Sequence, residues 1–383
     1  MRECHNRASQ CCATAGLSDR PIAECHTLKG AAPKCVTDTA TEHSIDLDDG
    51  RWRGYRRVRN KLYGENMPLD HYVSQGHLRR FYSPVLGNRM YAIRKADLKA
   101  FTPDSQAVCR IMDGSTNAFL REDRVVEDFL KTIEPKYNFA VDKLIKGEID
   151  KECIYTIAGF VAFVIVCSPA GMRINSELPK VAVENSAALL QAHGRLPPLP
   201  AELVGVSLKA EIDPKYSQAV GIASIMQTTA TFGNFQWEIL HNDSHDSPFF
   251  TSDFPAAIER TDDPRILNRI VPLAPSLALR IRPDPTLDTR RADFSFANFG
   301  YRSCNLGHEE LVMLNRLIVQ CAEETVFYRD DHQWVRPFIS KNRHYRIEAH
   351  TSRAPTPTGT ILISTQRIVG STAPVDQPYG LKG

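Results

Sequence analysis

Residues 70–81 combine the residue types most able to perform chemistry in this chain. The segment reads Asp-His-Tyr-Val-Ser-Gln-Gly-His-Leu-Arg-Arg-Phe, so histidines, a glutamine and two arginines stand among apolar side chains. His71 could act as a general acid or base because an imidazole titrates near neutral pH. Its alternative role is structural, holding this segment to the rest of the domain by hydrogen bonds to backbone.

The adjacent arginines of this segment are expected to differ in role. Arg79 and Arg80 would point to opposite faces of an extended chain, so one should be a buried structural partner. The other could bind a phosphate or carboxylate group, as the planar guanidinium does well. Gln75 is included among the expected substrate-binding residues.

Two carboxylates elsewhere in the chain are candidate partners for His71. Glu134 lies on an apolar helical pattern directly before Pro135. A carboxylate there must find a partner, which could be Arg79 or Arg80 in a structural ion pair, or else it serves catalysis.

The second carboxylate belongs to the motif Thr-Ser-Asp at residues 251–253, which follows an apolar strand pattern. Asp253 could orient His71 or bind a metal ion, and Ser252 could position a substrate. The alternative is a local turn in which both side chains bond to nearby backbone. We expect one polar pocket to contain His71, Asp253 and Glu134 as catalytic groups, with Gln75, Arg79, Arg80 and Ser252 binding substrate.

No metal site is predicted, and the cofactor is left unknown. His241, Asp243, His245 and Asp246 resemble loose metal ligands, but they lie in a hydrophilic connection that favours a solvated loop. Five of the ten cysteines lie in residues 1–66 without a C-x-x-C pair, so a zinc site is disfavoured there.

Hydrophobic periodicity predicts an α+β fold in which a helical core packs against a mostly antiparallel sheet. Apolar residues recur at three- and four-residue steps over 123–145, with a break at Pro135 and a stop at Gly147. The uncharged stretch 154–172 predicts a buried core helix, since its apolar part is shorter than the roughly 20 residues that span a bilayer. Further helices are predicted over 181–192, after Asp213-Pro214 and over 309–325, and strands over 90–93, 235–240, 248–251, 269–273 and 277–282.

Composition divides the chain and limits its partners. Residues 1–66 lack periodic apolar runs and are expected to be a disordered extension, residues 67–340 a single α+β domain, and residues 341–383 a weakly structured tail. Lysine and arginine total 47 against 45 acidic residues, so nothing in the overall charge attracts nucleic acid or anionic membranes. We expect a soluble cytoplasmic protein with no membrane partner, and the oligomeric state stays open.

The order of several motifs resembles the uncharacterised family DUF4238 over about residues 67–330. The resemblance rests on residues 70–81, the strand at Met90, the helix with Glu134, the Ser-Pro that ends the apolar helix, and the sequences at 249–255 and 271–275. Family members typically have proline at the position of Ser74 and arginine at the position of Cys167. The loss of that guanidinium puts activity in doubt, and the resemblance implies a fold and a site but no reaction.

The common nucleotide-binding, metalloprotease and serine-hydrolase motifs are absent from the sequence. The leading hypothesis is a hydrolase that acts on a phosphate-bearing substrate, which could be nucleic acid. His71, a carboxylate and an arginine would form its active site, a combination that fits a nuclease-like enzyme. The alternative is a non-catalytic binding or regulatory module in which the same polar groups join the first segment to the helical core.

Overall fold

The computed structural model describes residues 35–38, 68–197, 207–244, 246–263, 266–357 and 359–370, with the backbone alone for 35–38 and 207–209. The expectations for residues 1–34, 39–67 and 371–383 lie outside these ranges. The fold is α+β, as predicted: helices pack against sheets that are mostly antiparallel.

The helices over 125–146 follow the predicted sequence signals, whereas residues 75–79 form a helix, although the roles expected for Arg79 and Arg80 assumed an extended chain. Helix α1 (Gln75–Arg79) is followed by α2 (Val125–Ile133) and α3 (Tyr137–Lys146), and a 3-10 turn over Glu134–Lys136 separates the last two. Pro135 causes this break because it cannot donate a helical hydrogen bond. Gly147 ends α3 with a φ of 73°, the left-handed conformation that glycine adopts without strain.

The apolar stretch forms α4 (Lys151–Cys167), which is buried on almost every side, and α5 (Pro169–Ala192) follows after a bend. The predicted helix over 181–192 is the second half of α5, which continues through Pro179. Within the described ranges, no single helix is long and apolar enough to cross a membrane, and only α4 and α5 together, bent by 66°, have the necessary length and composition.

The described residues contain four further helices. These are α6 (Pro214–Ala223), α7 (Ile225–Gly233), α8 (His308–Cys321) and α9 (Val335–Asn342). Asp213 caps α6 by accepting a hydrogen bond from the backbone N–H of Lys215 at 2.8 Å, which confirms the capping signal in the sequence. The helix predicted over 309–325 ends at Cys321, and the chain then turns into a strand.

The strands form several small sheets. In chain order they are β1 (Cys35–Asp38), β2 (Leu69–His71), β3 (Tyr91–Arg94), β4 (Ala100–Phe101), β5 (Arg110–Met112), β6 (Ser207–Ala210), β7 (Gln236–His241), β8 (Thr251–Ser252), β9 (Ala257–Arg260), β10 (Leu267–Ala274), β11 (Leu277–Arg282), β12 (Gly300–Asn305), β13 (Thr325–Tyr328), β14 (Tyr345–Thr356) and β15 (Gly359–Gly370). The largest sheet has the order β12-β7-β11-β10-β9, and a second has the order β4-β3-β13-β8. Strands β2 and β5 pair with each other, as do β1 and β6.

The C-terminal region differs from its prediction. Strands β14 and β15 pair along their whole length as an antiparallel hairpin, where the sequence predicts a weakly structured tail. Ile347 anchors the hairpin in the main core, so burial of a few apolar residues holds an element whose other residues are polar or exposed.

The core surrounds α4. Its side chains contact α3 and the large sheet in one apolar cluster and α2 with α6 and α7 in another. A third cluster joins Val73, Leu78 and Phe81 of the N-terminal segment to β3 and β13. The apolar residues around α1 therefore pack against the rest of the domain. This packing fixes the direction of the polar side chains that lie between the apolar ones in the sequence.

Candidate functional site

His71 lies on β2 at the domain surface, directly opposite Arg110 of β5 in the antiparallel register. Opposite residues of such a pair place their side chains on the same face of the sheet. The Nε2 atom of His71 is buried and has no partner with hydrogen-bonding geometry among the described residues. Arg110 forms no ion pair with any described residue. A histidine and an unpaired guanidinium therefore share one face of the β2–β5 pair.

Arg79 and Gln75 are linked to His71 through Ser105, whose backbone hydrogen-bonds to the imidazole. Arg79 donates to the Gln75 side-chain oxygen at 3.0 Å and to the Ser105 hydroxyl at 3.4 Å. Ser105 is buried, and its backbone N–H donates to the Tyr82 hydroxyl at 2.8 Å. We call His71, Gln75, Arg79, Ser105 and Arg110 the His71 site.

Burial lowers the pKa of His71, while backbone hydrogen bonding to Gln106 and Ser105 opposes that change. The nearby positive charge of Arg110 lowers the pKa further. His71 is therefore neutral at pH 7, and its Nε2 can donate or accept a hydrogen bond according to its tautomer. The site combines two guanidinium groups with a neutral imidazole, which suits an anionic ligand.

The other histidine of the segment, His77, lies in a closed network that the sequence analysis did not assign. Its Nδ1 is 2.8 Å from the Tyr137 hydroxyl and its Nε2 is 2.7 Å from the Thr251 hydroxyl. The ring also stacks on Phe160 of α4 at a centroid distance of 5.0 Å. Burial lowers the pKa of His77 to about 3, so the ring is neutral. We call His77, Tyr137 and Thr251 the His77 network.

Asp253 is 4% exposed and its carboxylate holds a turn between α8 and β13. It accepts hydrogen bonds from the backbone N–H groups of Glu323 at 2.9 Å, Glu324 at 2.7 Å and Thr325 at 3.0 Å. Burial and the nearby charge of Glu324 together raise the pKa of Asp253 to about 7, against the opposing effect of the backbone donors. The oxygens that would serve catalysis or bind a metal are thus occupied by backbone.

Lys95 secures the same turn from the other side. Its ammonium group donates to the carbonyl of Ala322 at 2.5 Å and to that of Tyr345 at 2.8 Å. Burial lowers the pKa of Lys95 to about 8, while the charge of Asp253 opposes this. Residues 322–325, which we call the clamped turn, are therefore fixed by the Asp253 carboxylate on three of their N–H groups and by the Lys95 ammonium on the carbonyl of Ala322.

Glu134 contacts Ser74 and neither predicted arginine. A side-chain hydrogen bond joins its carboxylate to Ser74, which also caps α1 by accepting from the N–H of Gly76 at 3.2 Å. Glu134 is exposed at the surface, and partial desolvation by the neighbouring atoms raises the pKa of its carboxyl. Beside it lies a cavity of about 10 Å³, the size of one water molecule.

Arg80 and Ser252 have structural roles. Arg80 donates to Asp142 at 2.8 Å, so the carboxylate that pairs with the arginine segment is Asp142 and the predicted ion pair with Glu134 is absent. The Ser252 hydroxyl accepts from the N–H of Phe254 at 3.1 Å, which is the local turn considered as its alternative.

The structure joins the two sequence motifs through residues other than the predicted ones. The motif at 70–81 meets the motif at 251–253 through His77 and Thr251, whereas His71 lies opposite Arg110 and Asp253 holds the clamped turn. None of the hydrogen bonds among the described residues links His71, Asp253 and Glu134, so these contacts do not support one shared pocket.

The remaining candidates add no catalytic group. Across the described ranges, no three His, Cys, Asp or Glu side chains lie close enough to hold a metal ion, and His245 lies outside these ranges. Cys167 is buried beside Gln218, and this burial raises the pKa of its thiol to about 12, so it is not a reactive nucleophile.

A signal for the His77 network was present in the sequence. His77 is followed directly by Leu78, and both fall on the buried face of α1. A histidine flanked by core residues must be satisfied internally, and hydroxyl groups are its simplest partners. The identities of Tyr137 and Thr251 depend on tertiary packing, which no local pattern specifies.

Comparison with known proteins agrees with the resemblance found in the sequence. Residues 70–332 match the family described as protein of unknown function DUF4238. The match begins at the first residue of the His71 segment and includes both the His77 network and the clamped turn. No curated protein and no solved structure shows a significant match. Because the family match covers most of the chain, this protein belongs to the DUF4238 family.

Proposed function

We propose that this domain binds a phosphate-bearing ligand at the His71 site and acts as a binding or regulatory module. The observation that carries this proposal is the unpartnered, buried Nε2 of His71 opposite the free guanidinium of Arg110. An unsatisfied polar atom costs free energy when it is buried, and ligand binding removes that cost.

The second arginine of the site strengthens the choice of an anion. Arg79 is exposed, and the oxygens of Gln75 and Ser105 hold its guanidinium in place from one side. Its remaining N–H groups can donate to a phosphate, for which the planar guanidinium is well suited. Arg110, opposite His71 in the register of β2 and β5, offers a second guanidinium for the same kind of ligand.

Overall charge favours a small ligand over a long nucleic acid. The chain carries a formal net charge of only +2, and nucleic-acid binding depends on neutralising many phosphates along the chain. Two arginines at one face can neutralise one phosphate group. A nucleotide or sugar phosphate therefore fits the site better than RNA or DNA.

Binding is favoured over hydrolysis because the carboxylates expected to assist His71 are engaged elsewhere. Asp253 accepts three backbone hydrogen bonds, and Glu134 contacts Ser74. Backbone groups of Gln106 and Ser105 hydrogen-bond to His71, but no described carboxylate accepts a hydrogen bond from the ring as the partner of a general base does.

Calorimetric titration of the full chain tests the binding proposal with inorganic phosphate and adenosine 5′-monophosphate, and adenosine is the matched ligand without phosphate. We expect phosphate-dependent binding that Arg79→Ala or Arg110→Ala weakens about tenfold or more, equivalent to about 1.4 kcal/mol each. Arg260→Ala removes an exposed arginine on β9 and should leave affinity unchanged. Equal binding of adenosine, or no binding at about 10 mM ligand, would contradict the proposal.

Hydrolysis of the same class of ligand is the second candidate, because the lowered pKa of His71 leaves a neutral imidazole able to accept a proton near pH 7. Release of nitrophenol from nitrophenyl phosphate and bis(nitrophenyl) phosphate measures this activity. Turnover that His71→Asn abolishes while AMP binding persists would establish an enzyme. A cytoplasmic location is part of the same proposal, and cell fractionation without detergent tests it.

A further inference from the structure

A groove of about 270 Å³ lies between α5 and the chain segment around Glu211, away from the His71 site. Charged residues of α5 line the groove on one side and Glu211 and Ile212 on the other, and Glu323 of the clamped turn is also part of its lining. Pro169, Ile212 and Pro214 supply apolar surface between the charges. This volume is slightly below the roughly 300 to 1,000 Å³ typical of sites for drug-sized ligands, so the groove suits a smaller molecule.

The helical wall is built by spacing along α5. Arg173, Glu177 and Lys180 follow one another at steps of four and three residues, which places them on one face of the helix. That face meets the groove along about two turns. A ligand lying in the groove would therefore meet charges of both signs in a fixed order.

One ion pair in the groove is already satisfied. Arg173 donates to both carboxylate oxygens of Glu323, at 3.0 and 2.7 Å, and to the carbonyl of Ile347 at 3.0 Å. Asp253 fixes the backbone of Glu323, so the clamped turn sets the position of this pair. Arg173 and Glu323 together contribute no net charge and form a rigid part of the lining of the groove.

Three other charges face the groove without a hydrogen bond or ion pair from any described residue. They are Glu177 and Lys180 on α5 and Glu211 on the opposite wall. The groove thus offers two unpaired carboxylates and one unpaired ammonium group. The complementary ligand carries two positive charges and one negative charge, and its body must be short and partly apolar.

We propose that this groove binds a free basic α-amino acid such as lysine, with its carboxylate at Lys180 and its two ammonium groups at Glu177 and Glu211. The methylene chain lies on Pro169, Ile212 and Pro214. The site is distinct from the His71 site and does not depend on the function proposed there.

Calorimetric titration of the full chain with L-lysine tests the proposal, together with analogues that each lack one charged group. Norleucine lacks the side-chain ammonium, Nα-acetyl-lysine lacks the α-ammonium, and lysine amide lacks the carboxylate. We expect L-lysine to bind and each analogue to bind about tenfold more weakly or not at all. Equal binding of norleucine, or no heat with L-lysine, would overturn the assignment.

Variants locate the site on the chain. Lys180→Met and Glu211→Gln should each weaken L-lysine binding about tenfold, since each removes one charge contact. Lys146→Met and Glu148→Gln alter exposed residues outside the groove and serve as matched controls. His71→Ala should leave L-lysine affinity unchanged. Loss of affinity in a control variant, or unchanged affinity in both groove variants, would show that lysine binds elsewhere.

Discussion

His71 and His77 lie six residues apart in one motif, and their surroundings differ in almost every respect. His77 is fully buried, and both of its ring nitrogens meet a hydroxyl group. His71 lies at the surface with one nitrogen unsatisfied, next to arginines. Residue type and proximity in sequence therefore do not identify a functional histidine, whereas an unfilled hydrogen-bonding position does.

The same contrast separates the carboxylates from the arginines. Both oxygens of Asp253 are occupied by backbone N–H groups, as in a structural group. Arg79 and Arg110 retain donors that face solvent. We call a polar group closed when its hydrogen-bonding atoms are occupied within the protein, and open when some of them are free. Closed groups should control the stability of the fold, and open groups should control ligand binding.

The largest effect on stability is expected for Asp253→Ala. This change leaves three buried backbone N–H groups without an acceptor and removes the negative charge nearest to Lys95. We expect the free energy of unfolding to fall by about 3 to 5 kcal/mol, measured by urea denaturation.

Asp253→Asn is the matched control. It keeps one oxygen acceptor, so its free energy of unfolding should fall by less than that of Asp253→Ala. AMP affinity of the folded Asn variant should be unchanged. A stability loss below about 1 kcal/mol for Asp253→Ala would remove the distinction between closed and open groups.

A somewhat smaller loss is expected for His77→Ala. It removes a core side chain and leaves the hydroxyls of Tyr137 and Thr251 unpaired, which should cost about 2 to 4 kcal/mol. A double-mutant cycle of His77→Phe with Tyr137→Phe measures the hydrogen bond itself and should give a coupling of about 1 kcal/mol. Additive effects in that cycle would mean that the network does not act as one unit.

The pH dependence of stability sharpens the contrast further. The pKa of His77 is about 3 in the folded chain against 6.5 in the unfolded chain, so the unfolded state takes up the proton first as the pH falls. The contribution of His77 to the free energy of unfolding is therefore complete above pH 6.5. It declines toward pH 3 by up to about 1.4 kcal/mol per pH unit. The raised pKa of Asp253 has the opposite effect, because the folded state takes up this proton first and the free energy of unfolding therefore rises as the pH falls from 7 to 3.8.

The difference between the wild type and His77→Gln isolates this histidine. Chemical denaturation of both proteins between pH 7 and 4 should show a gap in unfolding free energy that narrows as the pH falls. A constant gap would show that His77 protonates normally in the folded chain.

Local sequence patterns predicted much of the helical framework. The break at Pro135, the stop at Gly147 and the cap at Asp213 each depend on one residue and its backbone, so they can be recognised without tertiary information. Strand β13 was missed because its pairing partners, β3 and β8, are distant in sequence. The hairpin was missed because most of its residues are polar or exposed and give little apolar pattern. The continuation of α5 through Pro179 was missed because packing outweighed the local signal.

The candidate site was predicted only in part for a related reason. Gln75 and Arg79 belong to the same short segment as His71 and are linked to it through Ser105. Arg110 and Ser105 reach the site through the pairing of β2 with β5 and the loop before it, and residue type alone does not reveal that pairing. Asp253 was placed in the site because a polar residue in an apolar motif suggests function, yet its backbone contacts explain it equally well.

The smallest effect on stability is expected for His71→Ala. This variant tests whether His71, which has a free hydrogen-bonding position, serves ligand binding. The ring is partly exposed and one of its nitrogens has no partner, so its removal leaves few groups unsatisfied. We expect unfolding free energy to change by less than about 1 kcal/mol while AMP affinity falls about tenfold. His71→Gln retains a donor and an acceptor and should recover part of the affinity. If His71→Ala instead destabilises the chain as strongly as His77→Ala, the two histidines have the same structural role and the His71 site is not a binding site.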